Sequence, residues 1–174
     1  PVIKNTTSTF YASGASKNIT ATLVIYKQNY WNVNNLELVG QCTSGSARSV
    51  VYIGSDSGFF TNHVKISDCV IKGTNWCNTS AKSNGLTGIE VSHLGSYYGF
   101  FNDITIENNK LYDCNGSGIT TNGSYGGCDQ NGNPNNNASK NIVIRNNYMT
   151  RIGQEGILVT NNNAPLVEYN TVEG

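Results

Sequence analysis

The residues best suited to chemistry are an acid, a cation and a second acid: Asp113, Arg151 and, one short turn further on, Glu155. Asp113 and Arg151 share a register with Gly73 and Gly174, at spacings of 40, 38 and 23 residues. Side chains so spaced meet if the chain returns to the same place on each pass. Two carboxylates about 5 to 9 Å apart serve glycoside hydrolysis, and a base beside a cation serves elimination from a sugar acid. These three are the candidate catalytic residues, and a salt bridge fixing neighbouring turns is the structural alternative.

A second column reads Asn34, Ser67, Glu107, Arg145 and Glu168, with neighbours about 4.8 Å apart if the strands are parallel. Glu107 and Arg145 could grip a charged sugar or form a surface charge ladder. The segment SHLGSYYGFF adds His93, Tyr97 and Tyr98, with Glu90 just before it; aromatic faces beside a groove stack well on sugar rings. Glu90, His93, Tyr97, Tyr98, Glu107 and Arg145 are therefore the candidate substrate-binding residues.

The elements that must position these side chains are written as a repeat. In register, WNVNNLEL (31 to 38), VKISDCVI (64 to 71), ITIENNKL (104 to 111), IVIRNNYM (142 to 149) and PLVEYNTV (165 to 172) align their second apolar residue at Val33, Ile66, Ile106, Ile144 and Val167. Three residues later stand Leu36, Cys69, Asn109, Asn147 and Asn170, and two further on Leu38, Ile71, Leu111, Met149 and Val172. A second strand with period-two alternation follows in most units: VVYIG (50 to 54), LTGIEV (86 to 91), GSGITT (116 to 121) and QEGILV (154 to 159). Short strands repeating every 20 to 50 residues, without helices between them, predict stacked coils. The second Asn of each "NN" is expected to face inward and bond to the coil below, while Asn108 and Asn146 occupy the turn.

These segments, NDITIENNKLYDCNGSGI and SKNIVIRNNYMTRIGQEGI above all, resemble the right-handed parallel β-helix repeat proteins of the pectate lyase-like superfamily. The resemblance covers roughly residues 29 to 174 and implies an all-β chain: one single-stranded right-handed parallel β-helix, a solenoid of about five coils with long loops. It carries no catalytic residue over, because the GHG, NTD/DD and Arg-x-Pro-x-x-Arg segments of the enzymes in that group are missing.

Composition sets further bounds. Eleven Lys plus Arg balance eleven Asp plus Glu, so no basic footprint favours nucleic acid or an anionic membrane surface. No run approaches the roughly 20 apolar residues of a membrane span, and the opening residues do not read as a signal peptide. The 27 Asn and 19 Gly favour turns over helices. Five Cys without paired CxxC units do not form a zinc signature. Cys42 with Cys77 and Cys114 with Cys128 are the expected disulfides, and Cys69 is expected to stay a core thiol in the Asn slot. Six sequons, at Asn5, Asn18, Asn78, Asn115, Asn122 and Asn137, are candidate glycosylation acceptors, in about the number chance supplies.

The expectation is one domain over residues 1–174, which could be a fragment of a longer solenoid, secreted or at the cell surface. It would bind or cleave a polysaccharide as a lyase or glycoside hydrolase. No cofactor is predicted, and Ca2+ has no recognisable loop. The alternative is a structural surface protein, adhesin or filament subunit that self-associates end to end without catalysis.

Overall fold

The computed structural model describes residues 2–4, 9–10, 19–41, 48–55, 60–74, 85–93, 100–122 and 139–174. The elements there are strands throughout. β1 (Val2–Lys4) and β2 (Thr9–Phe10) precede five passes of three. The first holds β3 (Ile19–Tyr26), β4 (Trp31–Asn34) and β5 (Glu37–Gly40); the second β6 (Arg48–Ser55), β7 (Phe60–Ser67) and β8 (Val70–Gly73). The third holds β9 (Leu86–His93), β10 (Phe100–Glu107) and β11 (Lys110–Tyr112); the fourth β12 (Ile119–Asn122), β13 (Ser139–Arg145) and β14 (Tyr148–Thr150). The last holds β15 (Ile157–Thr160), the split pair β16 (Asn162–Asn163) and β17 (Leu166–Glu168), and β18 (Thr171–Glu173).

Each pass lays one strand onto each of three sheets, ordered β2-β3-β6-β9-β12-β15, β4-β7-β10-β13 followed by β16 and β17, and β1-β5-β8-β11-β14-β18. All pairings are parallel except β2 with β3. The registers reproduce the expected columns: Val33, Ile66, Ile106, Ile144 and Val167 are consecutive partners. So are Leu38, Ile71, Leu111, Met149 and Val172.

The branched and long apolar side chains of these columns point into the space enclosed by the three sheets and form one core from Ile25 to Met149. β-branched residues suit that position because their restricted χ1 matches a pleated, buried surface.

The corners explain the rest of the repeat. Asn35, Asp68, Asn108, Asn146 and Tyr169 all have φ between 53° and 57°, a left-handed turn that Asn and Asp tolerate best. This turn aims the next residue inward. Asn109 and Asn147 are buried, and each amide bridges two passes: Asn147 Oδ1 accepts from Asn109 N and Nδ2 at 3.0 Å, while Asn147 Nδ2 donates to Ile106 O at 3.0 Å. Asn170 continues the ladder below, and Cys69 N donates to Asn109 Oδ1 at 3.0 Å above. Glycine is required at the opposite corner: a methyl on Gly118 would lie 2.6 Å from the Gly156 carbonyl oxygen and 2.7 Å from Met149 Sδ.

Candidate functional site

Asp113 and Arg151 both sit at left-handed corners, φ 58° and 54°, just after β11 and β14. Their side chains therefore meet across one strand spacing. Arg151 Nε donates to Asp113 Oδ1 at 2.5 Å and Nη2 to Oδ2 at 2.8 Å, a two-pronged pair in the open. The guanidinium also lies 5.9 Å from the centroid of Tyr112 and holds the Asp113 carboxyl below the usual carboxylate range. Glu155 is engaged elsewhere: its Oε2 accepts from Ser117 Oγ at 2.8 Å. The trio thus divides into a satisfied ion pair and a carboxylate held by a serine.

Glu107 is the most enclosed of the candidate acids, its side chain 9% exposed. Lys65 Nζ reaches Oε1 at 2.5 Å and Arg145 Nε reaches Oε2 at 2.7 Å, one cation from each neighbouring pass. These two donors outweigh burial and hold the carboxyl below its ordinary range. Glu90 accepts from Ser49 Oγ on the outer face of β6 and β9. His93 Nδ1 is buried and has no hydrogen-bond partner among the described residues.

Tyr97, Tyr98, Cys42, Cys77, Cys128, Asn5, Asn18, Asn78 and Asn137 lie outside the described residues. Of the other two sequon asparagines, Asn115 Oδ1 accepts from Leu86 N at 2.7 Å and Asn122 Oδ1 from Thr160 Oγ1 at 3.0 Å.

The expected disulfide of Cys114 with Cys128 needs correction, because Cys114 is a free thiol. The corner at Asp113 turns the next side chain inward, where Sγ packs under Gly88 and donates to Tyr112 O at 3.5 Å. Burial there pushes the thiol up to about 12. Cys69 is likewise free and buried, in the Asn slot.

A groove of about 350 Å³ opens on the outer face of β4, β7 and β10, lined by Tyr30, Trp31, Asn32, His63, Val64, Lys65, Asp103 and Thr105. Three of its residues belong to a third left-handed column: Tyr30, His63, Asp103 and, beyond the groove, Asn141 and Ala164 have φ between 46° and 63°. Each stands one residue before the first apolar position of its repeat. The turn interrupts the strand alternation, so the three upper side chains emerge one above another instead of entering the core.

Tyr30, 79% exposed, lies flat on the His63 ring, with centroids 4.7 Å apart and planes 13° apart. Its backbone is pinned by Tyr30 N to Asn62 O at 3.1 Å and by Asn62 N to Asn29 Oδ1 at 2.7 Å. On its other flank His63 Nδ1 hydrogen-bonds Asp103 Oδ2. Trp31, 47% exposed, and Lys65 complete the walls. The arrangement offers aromatic faces, a cation, a carboxylate and an oriented imidazole at one solvent-open place.

Sequence reasoning missed Tyr30, His63 and Asp103. Their signal was present, since they repeat at the ladder's own spacings of 33 and 40. Among the described residues no three His, Cys, Asp or Glu side chains are grouped to hold a metal ion, and no helix is long and apolar enough to cross a membrane. The chain matches no family profile and no curated protein at a significant level.

Proposed function

We propose that this is a right-handed parallel β-helix of the pectate lyase-like kind, secreted or surface-exposed, that binds or cleaves a polysaccharide. The handedness rests on the general preference of parallel crossovers. One observation carries the function: exposed Tyr30 and Trp31 flank a groove that also presents His63, Lys65 and Asp103. Sugars offer an apolar ring face and a rim of hydroxyls, and such sites pair aromatic planes with a few fixed polar groups. The groove runs along the outer faces of consecutive strands, which suits a chain-like ligand rather than a compact one.

The test is retention of the protein on a panel of neutral and uronate polysaccharides, with released reducing ends measured in parallel. Retention lost on Trp31→Ala supports the groove as the binding face; retention on none of the polymers sinks the reading. Product release decides between binding and cleavage.

A second reading is a stacking structural protein, in which the parallel three-sheet passes that this chain repeats continue from one copy to the next. Growth of particle size with concentration supports it, and a monomer at all concentrations removes it.

A further inference from the structure

We propose that His63 is the general base of an esterase site that removes acyl groups from a neutral saccharide held in the groove, with Asp103 as its positioning residue. This rests on the carbohydrate reading of the groove. The tautomer follows from the hydrogen bond: an ionised Asp103 carboxylate can only accept, so His63 Nδ1 carries a proton, and in the neutral imidazole it is Nε2 that keeps the lone pair. Tyr30 fixes the ring plane by stacking, and Nε2 has no partner among the described residues. An imidazole held on one side by a carboxylate and open on the other suits water activation near neutral pH.

The substrate class follows from charge and from what is missing. Of the charged lining groups, Lys65 is paired with Glu107 and Asp103 with His63, so the lining holds no unpaired cation for a uronate and is matched to a neutral ligand. Glycoside hydrolysis needs two available carboxylates, and the single one lining the groove is bound to His63. An ester is neutral until attacked and becomes an oxyanion in the transition state. Lys65, held in place by Glu107, is the cation of the lining toward which that charge develops, which is where binding accelerates a reaction.

The step balances without a co-reactant. Nε2 takes a proton from water as the water oxygen bonds to the acyl carbon, and the carbonyl electrons move onto oxygen beside Lys65. The carbon–oxygen bond to the sugar then breaks. The departing sugar oxygen takes the proton back from the imidazolium, leaving a carboxylic acid, a sugar hydroxyl and neutral His63.

The experiment uses the full chain with acetylated xylan and with the same xylan chemically deacetylated, measuring retention on both and acetate release. The expected result is binding to both polymers and acetate from the first. His63→Ala should lower kcat at least about 100-fold, with partial rescue by added imidazole. Asp103→Asn should lower kcat with little change in KM, and Lys110→Ala, on another sheet, should change neither. Binding without acetate release by the wild type overturns the esterase assignment and leaves the carbohydrate reading standing. So does release that survives His63→Ala. Failure to bind either polymer, with no release, overturns both.

Discussion

Replacing Asn147 by Ala removes four hydrogen bonds in one step while changing nothing on the surface. Its Oδ1 accepts from Asn109 N and Asn109 Nδ2, and its Nδ2 donates to Ile106 O and Asn170 Oδ1, all at 2.9 to 3.0 Å. The side chain is buried between passes, its residue 1% exposed, so water cannot replace it without opening the stack. Two of the partners find compensation: Asn109 Nδ2 still donates to Ile66 O, and Asn170 Oδ1 still accepts from Asn147 N. Asn109 N and Ile106 O lose their side-chain partner inside the core. At about 1 to 3 kcal/mol for each buried group left unsatisfied, the expected loss is about 2 to 6 kcal/mol. Urea unfolding followed by circular dichroism, comparing midpoints at constant slope, measures it. The neighbouring Asn146→Gly is the control: the position is exposed with φ 54°, which Gly adopts freely, so its midpoint should shift little. A loss below about 1 kcal/mol for Asn147→Ala, or equal losses for the two variants, would refute the ladder as a source of stability.

Other outcomes follow from the same contacts. Gly118→Ala pushes a methyl against the Gly156 carbonyl, which cannot yield without moving the next pass; a loss of about 2 kcal/mol, or roughly 4 to 8 °C in Tm, is expected from calorimetry. Glu107 has a depressed folded-state acidity, so its contribution is present above the ordinary Glu range near 4.3 and is lost as pH falls through the folded value. The wild-type urea midpoint should therefore fall more steeply below about pH 4 than that of Glu107→Gln, and parallel curves would discard the clamp. Cys114, pushed up to about 12, and buried Cys69 should resist iodoacetamide at pH 8 until urea unfolds the chain, as peptide mapping would show; labelling of the native protein at either would contradict their packing.

The inward half of the fold was legible because the core asks for the same residue types on every pass. Ile66, Ile106 and Ile144 can be aligned by eye, and the Asn pairs mark both the turn and the inward slot. The outward half follows no such rule. Alternation groups Glu107 with Arg145 in one column, but it cannot reveal that the long side chains of Lys65 and Arg145 close on the Glu107 carboxylate. The groove escaped for a related reason. Tyr30, His63, Asp103, Asn141 and Ala164 share a backbone conformation and almost no chemistry, so their column is invisible to residue similarity. Cys114 and Cys128 are near in sequence, but nearness says nothing of direction, and the left-handed corner at Asp113 turns the Cys114 side chain inward.

The unequal spacing of the passes has a mechanical consequence. Hydrogen bonds between neighbouring passes all run in the stacking direction, and the Asn ladder runs with them. A pull along that direction loads every bond of one layer together, so a layer should resist and then give way at once. The chain freed by each rupture is set by the ladder intervals of 40, 38 and 23 residues, not by the constant strand spacing. At about 3.4 Å per residue, those segments extend by roughly 135, 130 and 80 Å. Stretching one molecule would thus read out the order of its passes as steps of unequal length.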